Sequence, residues 1–471
     1  MRRYLIQTFG CQMNVHDSLR IEEALSGAGY TATDAPELAD LIVFNTCSIR
    51  EKADHKLRSA AGTFRELKER KRDLVMVVAG CMAQQRGEAL LKEVDLVDVV
   101  IGPDNIVELP SLISHVRAGG PPIARTVFDL EAPSFLQAHA QPLRREVCAY
   151  VTIMKGCDER CTYCIVPYTR GAERYRSSDE IVAEAQRLVA AGVREITLLG
   201  QTVNSWHEPH EQVSESRFPW LLRRIAREVP ELKRLRYTSP HPRHLTPALI
   251  AAHAELDVLP AHVHMPVQSG SDRMLRLMLR RYRRQDFLDR IQALKTSRPG
   301  FTVSTDVIVG FPGETEEDFQ DTLSLVRDAA FTSVFAFKYS PRPHTPALRL
   351  GDTIPEALKS ERLARLFEVS EGQQAEYLQG LVGRELEVLI DGPSKNDPTR
   401  FTGRSERHEI VHVPVPVGCD PSGELLRVRA IEASKRSLLA EPNVPFRAPT
   451  RVVEPVAQPR KTSLRLPVVP V

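Results

Sequence analysis

Strand-like and helix-like runs alternate along most of this 471-residue sequence, and that rhythm restricts the fold more than any other feature. Hydrophobic runs at 4–9, 41–45, 74–79 and 97–101 are separated by amphipathic stretches such as 18–28 and 52–69. Strand, helix, strand in this order packs as a parallel sheet covered by helices, so residues 1–117 read as an α/β domain. Residues 118–145, with Gly119-Gly120-Pro121-Pro122, Pro133 and Pro142, read as a linker. A second series then follows, with strands near 149–155, 195–200, 235–239, 263–267, 302–309 and 334–339. Helical patterns at 178–191, 219–228, 247–255, 285–295 and 316–329 separate them. Six strand–helix units are too few for a closed eight-stranded barrel. After residue 376 the pattern changes to short alternating strands at 385–390, 408–414 and 425–430, with glycine between them. That is the signature of a small antiparallel barrel over 377–441. Residues 442–471 are proline-rich and basic and read as a disordered tail.

Composition places the chain among soluble globular proteins, with 42% hydrophobic and 26% charged residues and a formal net charge of +2. No apolar run approaches the roughly 20 residues of a membrane-spanning helix. The opening MRRYLIQTFGCQMN already carries Gln7 and Cys11 within its short apolar run, so it reads as a strand, not a secretory signal. Eight cysteines in so long a chain suit a reducing cytosol with metal-bound thiolates better than a disulfide framework.

The placement of those cysteines is informative. Cys157, Cys161 and Cys164 stand as C-x3-C-x2-C within KGCDERCTYCIVPYTR. Three thiolates this close can wrap one face of a metal centre, yet fall one short of the four ligands that structural zinc and simple electron-transfer clusters use. On a four-iron cubane they would leave one iron open; a zinc site or a disulfide is the competing reading. Cys11, Cys47 and Cys81 each fall just past the carboxyl end of an expected parallel strand, the edge where open α/β sheets gather ligands. Any one of them alone suits an ordinary buried cysteine, but three at the same place in successive units point to a second three-thiolate site. Cys148 lies outside both trios and is expected in the core.

With aromatic Tyr163 before its last cysteine, the motif resembles the C-x3-C-x-[aromatic]-C form of the radical S-adenosylmethionine enzymes. The resemblance implies an open (β/α)6 partial barrel over 146–376 and a [4Fe-4S] cluster on Cys157, Cys161 and Cys164. It implies that the open iron binds the amino and carboxylate groups of S-adenosylmethionine, which the reduced cluster cleaves to a 5'-deoxyadenosyl radical. Gly310-Phe311-Pro312-Gly313-Glu314, a plain strand-to-helix turn on its own, is similar to the turn these enzymes set beside the adenine. Tyr163, Gln201, Gln268, Asp306 and Gly310 are the candidate cofactor contacts, with Gln201 and Gln268 equally suited to capping or loop roles.

Val388, Phe401-Thr402-Gly403-Arg404 and Leu438-Leu439-Ala440 resemble a TRAM domain, a small RNA-binding β-barrel. Residues 377–441 carry nine Lys/Arg against ten Asp/Glu, so RNA binding there rests on the resemblance and not on charge. Residues 273–284, RMLRLMLRRYRR, fit either a solvated helix face or a phosphate-contacting patch, and arginine density favours the patch.

Taken together, the chain resembles the methylthiotransferases. Gly10-Cys11-Gln12-Met13-Asn14, Asn45-Thr46-Cys47, Cys164-Ile165-Val166-Pro167 and Tyr339-Ser340-Pro341-Arg342-Pro343 are similar to the MiaB type. That resemblance implies conversion of N(6)-dimethylallyladenosine beside the tRNA anticodon to its 2-methylthio form. It also implies a second [4Fe-4S] cluster on Cys11, Cys47 and Cys81 that presents sulfur. The implied partners are the anticodon loop of tRNA, an electron donor such as flavodoxin or ferredoxin, and a sulfur donor, for a monomer in the cytoplasm without membrane contact. The sequence departs from the family pattern at Tyr175, Ser177, Arg281 and His344, where serine, proline, glycine and glycine are common. The alternatives are a methylthiotransferase for threonylcarbamoyladenosine in tRNA or for a ribosomal protein, and, in another class, an RNA-binding iron–sulfur sensor.

Overall fold

The computed structural model describes residues 1–48, 52–129, 146–209, 211, 215–395, 397–444 and 446. Residues 130–145 of the expected linker and the expected tail beyond residue 446 lie outside the described residues. The first sheet contains β1 (Arg3–Thr8), β2 (Thr31–Ala32), β3 (Leu41–Thr46), β4 (Val75–Gly80), β5 (Val99–Ile101) and β6 (Ile123–Arg125). All pair in parallel, in the order β2-β1-β3-β4-β5-β6. Every residue of β3 and β4 is buried, as expected of central parallel strands covered on both faces. Alternate residues serve opposite faces: Ile42, Phe44, Met76 and Val78 enter one core, and Leu41, Val43, Val75 and Val77 the other.

The sequence rhythm missed β2 and β6, and β6 lies inside the stretch expected as a linker. Strands of two and three residues are too short to show a period. The first helix, Gln12–Gly27, begins well before the expected 18–28, because Cys11 occupies its N-cap and the chain turns directly off β1.

The second domain holds β7 (Cys148–Thr152), β8 (Met154–Lys155), β9 (Arg174–Tyr175), β10 (Glu195–Leu199), β11 (Arg234–Tyr237), β12 (His262–His264), β13 (Thr302–Val309) and β14 (Ser333–Lys338). Its six barrel strands pair in parallel as two three-stranded sheets, β11-β10-β7 and β12-β13-β14. One hydrophobic core runs through both halves, from Val151, Ile196 and Leu235 to Val263, Val303 and Ala336. The short antiparallel ribbon β8–β9 closes the base of the cysteine loop. Gly156 starts that loop at φ 83°, where a Cβ would meet the Ala172 carbonyl oxygen at 1.9 Å. No other residue fits there.

The 24-residue helix Glu356–Gln379 leads into the third unit. It is a closed barrel of β15 (Glu385–Pro393), β16 (Arg400–Ser405), β17 (Ile410–Pro414), β18 (Leu425–Ala433) and β19 (Ser437–Pro442), in the order β15-β16-β17-β19-β18. The expectation was an antiparallel barrel. Four pairs are antiparallel, but β17 and β19 run parallel where the barrel closes. This barrel seats on the amino-terminal ends of the core strands. Arg234 donates to the carbonyls of Arg404 (2.6 Å) and Glu387 (3.0 Å), and Arg236 to that of Ser405 (3.1 Å). Cys148, expected in the core, is instead exposed at this seam, its Sγ 3.5 Å from Asp391 Oδ1. Among the described residues, no helix is long and apolar enough to cross a membrane.

Candidate active site

The cysteine trios lie at the opposite end of the core strands from the small barrel. Cys11 caps the first helix, Cys47 follows β3, and Cys81 opens the helix Cys81–Arg86 after β4. The residues beside them hold these positions. Asn14 Oδ1 accepts from the Cys11 amide (3.4 Å), while Asn14 Nδ2 donates to Asn45 Oδ1 and to the Thr46 carbonyl (both 3.1 Å). Asn45 Nδ2 returns a bond to the Asn14 carbonyl (2.7 Å), and Thr46 Oγ1 donates to the Ala79 carbonyl (2.9 Å). Gly10 brings β1 against the second cysteine, for a Cβ there would lie 2.8 Å from Cys47 Cβ. A hydrogen bond with Cys47, the Asn14 amide and the Arg170 charge together lower the Cys11 thiol to a pKa of about 6, against the opposing effect of burial. Burial raises Cys81, with Arg170 opposing it.

Arg170 belongs to the second domain. It ends the helix Val166–Arg170, six residues past Cys164, and is 4% exposed. Its Nε donates to Cys81 Sγ (3.2 Å), and its fork grips the two oxygens of Asp17 (2.6 and 3.3 Å). The domain interface holds further buried pairs, Lys155 with Asp104 (3.3 Å), Arg174 with Asp104 (2.6 Å) and Thr152 with His16 (3.2 Å).

In the second trio Cys157 and Cys161 are buried and Cys164 half-buried. Thr202 Oγ1 lies 3.1 Å from Cys157 Sγ, and Arg280 Nη1 donates to Cys161 Sγ at 3.5 Å. Burial raises Cys157 to about 12 and pushes Cys164 higher still. Binding of a metal centre would displace such protons. Gln201 Oε1 accepts from the Gly156 amide (2.5 Å) and braces the loop, while its Nε2 is buried with no hydrogen-bond partner. Thr162 ties the loop on both sides. Its amide and hydroxyl donate to the carbonyls of Met278 (3.1 Å) and Leu277 (2.8 Å), and its carbonyl accepts from Ala347 (2.9 Å).

The other candidate contacts form two groups. Tyr163 packs on the apolar cluster of Met274, Met278, Phe311, Tyr339 and Ala347. Gly310, at φ 71°, opens the turn into that cluster, and its amide donates to Glu314 Oε2 (2.7 Å), itself bound by Arg362 (2.7 Å). Gln268, past the end of β12, meets Asp306 of β13 through a backbone hydrogen bond, Gln268 N to Asp306 O at 2.9 Å. Gln268 holds a strained φ of 74°. Asp306 is buried, with Oδ2 3.3 Å from His264 Nε2 and Oδ1 without a partner.

The arginine run divides. Arg273 pairs with Asp318 and Arg284 with Asp328, and Arg280 is buried beneath Cys161, which leaves Arg276, Arg281 and Arg283 exposed. Sequence reasoning missed Asp17, Arg170, Thr202 and Arg280. One signal was present: Asn14, Asp17 and Ser18 form a buried polar stripe at helical spacing, where an ordinary helix would be apolar.

Glu159, His241 and His244 also converge, each with one ligand atom within 4.8 Å of the others. His241 Nδ1 accepts from the Arg243 amide (3.2 Å), so Nε2 keeps its proton, and Arg243 lies 3.5 Å from Glu159 Oε1. Both facts oppose a cation there. The group borders a cavity of about 280 Å3 lined by Asp158, Glu173, Tyr175, His207, Arg243 and His244.

Three family models match the chain: "Uncharacterized protein family UPF0004" over residues 3–102, "Radical SAM superfamily" over 151–326 and "TRAM domain" over 379–442. The chain is 55% identical over 493 aligned positions to a tRNA-2-methylthio-N(6)-dimethylallyladenosine synthase of Sorangium cellulosum (strain So ce56), covering 100% of this chain and 99% of that protein. Two structures of the radical S-adenosylmethionine methyltransferase TsrM from Kitasatospora setae share its fold at 16% identity. One, with cobalamin and a [4Fe-4S] cluster bound, has a TM-score of 0.52 and covers 84% of this chain and 82% of that one. The other, with tryptophan and a S-adenosylmethionine analogue bound, has a TM-score of 0.53 and covers 85% and 80%.

Proposed function

This chain belongs to the tRNA-2-methylthio-N(6)-dimethylallyladenosine synthases, a family of radical S-adenosylmethionine enzymes, and on that premise we propose how its own residues divide the work. The protein is a tRNA methylthiotransferase that places a methylthio group on C2 of N(6)-dimethylallyladenosine beside the anticodon. That carbon carries no acidic proton and no leaving group, so acid–base catalysis alone cannot reach it.

Cys157, Cys161 and Cys164 would hold one [4Fe-4S] cluster together with S-adenosylmethionine, and Cys11, Cys47 and Cys81 a second. The donor sets fit: each is three thiols in a largely buried site, with an arginine hydrogen-bonded to one sulfur. When bound, the first centre supplies a carbon-centred radical and the second supplies sulfur. Thr202 and Arg280 orient the sulfurs of Cys157 and Cys161, as Arg170 and Asp17 do for Cys81; such outer partners tune a metal site. Tyr163 and the Gly310 turn form a dry wall suited to the adenine of S-adenosylmethionine. Gln201 Nε2 and Asp306 Oδ1 offer unpartnered polar atoms for its polar groups, with Gln268 beside Asp306. The buried pairs Arg170–Asp17 and Arg174–Asp104 would keep water from the domain interface beside Cys81.

The small barrel adds RNA affinity at the far end of the core. An electron donor such as flavodoxin or ferredoxin, and a separate sulfur donor, complete a cycle run by a cytoplasmic monomer. The observation that carries this division is the segment from Cys164 to Arg170, which touches one trio at its start and the other at its end.

The test is mass spectrometry of tRNA nucleosides from a strain lacking this activity and complemented with the chain. Restored 2-methylthio-N(6)-dimethylallyladenosine supports the reading. Methylthiolated threonylcarbamoyladenosine, or a modified ribosomal protein with unmodified tRNA, would replace it.

A further inference from the structure

We propose that Tyr168 and His344 form a stacking platform for the unpaired tRNA base next to the adenosine being modified, an inference that rests on the tRNA reading above. RNA loops are recognised largely by splaying bases onto aromatic side chains, histidine included. Tyr168 lies four residues past Cys164 and is 41% exposed. His344, in the loop after β14, is exposed too, with ring centroids 5.9 Å apart and planes tilted by 35°. The two rings are neighbours, so one base can meet both.

Three further observations favour this occupant. His344 holds φ at 68°, a left-handed conformation that favours glycine, so the imidazole is kept at some strain. The loop that bears it is pinned to the cysteine motif through Ala347 and Thr162, opposite the carbonyls of Leu277 and Met278. These two segments carry exposed Arg276 and Arg281 on one side of the motif and exposed Arg349 on the other. Exposed arginines on the segments that flank the motif supply the positive charge that an RNA backbone requires, with the aromatic pair left for the base. Tyr168 also stands in the segment from Cys164 to Arg170, which touches one trio at its start and the other at its end.

The test uses the anaerobic holoenzyme and an anticodon stem–loop RNA with 2-aminopurine on one side or the other of the target adenosine. One of the two positions should lose fluorescence on binding, as stacking quenches it. Both His344→Gly and Tyr168→Leu should restore that fluorescence and weaken binding about tenfold, the scale of one base–aromatic stack. Glycine suits the backbone at this position, so the melting temperature of His344→Gly should equal or exceed that of the wild type, which separates lost stacking from lost fold. An abasic nucleotide at the quenched position should weaken the wild type about tenfold and leave His344→Gly binding unmoved. The proposal is overturned if His344→Gly binds the stem–loop as tightly as wild type, or if the abasic RNA loses equal affinity in both proteins. A wild-type holoenzyme that binds no stem–loop overturns the tRNA reading along with the platform, a result distinct from the other two.

Discussion

Arg170 Nε donates to Cys81 Sγ at 3.2 Å across 89 residues of sequence, so one arginine of the barrel domain serves the cysteine trio of the amino-terminal domain. Its fork is filled by Asp17, and both side chains are buried. Removing one partner of such a pair leaves an uncompensated charge in the interface, which costs about 3–5 kcal/mol. We expect Arg170→Met to lose about that much stability in urea unfolding of the apoprotein, and Arg170→Met/Asp17→Leu to recover most of it. A single variant as stable as wild type would mean that water reaches the pair.

Metal content separates the two sites. Reconstituted protein should hold about eight iron atoms, and the Cys157/Cys161/Cys164 triple alanine variant about four. Cys148→Ser and Cys419→Ser should keep the full complement, because Cys148 faces Asp391 at the far seam and Cys419 packs in the small barrel. Loss of about four iron atoms from either serine variant would redraw the ligand sets.

Radical generation and sulfur transfer should part company in the variants. With reductant, a Cys11/Cys47/Cys81 triple alanine variant should still form 5'-deoxyadenosine yet give no methylthio product on dimethylallylated tRNA. The Cys157/Cys161/Cys164 variant should do neither. Chromatography of deoxyadenosine beside nucleoside mass spectrometry reads both. Methylthiolated tRNA from the amino-terminal variant would make that trio structural.

His253 gives a pH signature of folding. It is 1% exposed, with Nε2 2.6 Å from the Tyr237 hydroxyl, and burial lowers its pKa from 6.5 to about 3. As pH falls below 6.5 the unfolded chain takes up this proton while the folded one resists it down to about 3. The stability is therefore full above 6.5 and is lost across that window, by about 1.4 kcal/mol per pH unit for one proton. In urea unfolding of the apoprotein between about pH 7 and pH 5, His253→Gln should flatten the dependence by one proton. Equal slopes would show that the imidazole is protonated inside the fold.

Much of this is legible in the sequence. Fully buried parallel strands such as Leu41–Thr46 and Val75–Gly80 read as unbroken apolar runs, and a cysteine just past such a run must sit on the carboxyl edge of the sheet. Hence the places of Cys47 and Cys81 at that edge could be read from the chain. The edge strands Thr31–Ala32 and Ile123–Arg125 could not, because so few residues show no period and depend on the neighbours they pair with.

The sequence by itself determined the three-part order and the parallel sheets, since these follow from local periodicity and spacing. Only the tertiary structure decided which charges go inside. Arg280 stands in a run of arginines that reads as exposed throughout, whether solvated or phosphate-contacting, yet it is buried against Cys161, while Arg276 and Arg281 remain outside. Arg170 and Asp17 are ordinary charged residues in their own segments, and become a buried pair only because two domains meet over Cys81. A charge enters the interior only with its partner in place, and these partners come from segments distant in sequence, where no local pattern can reveal them.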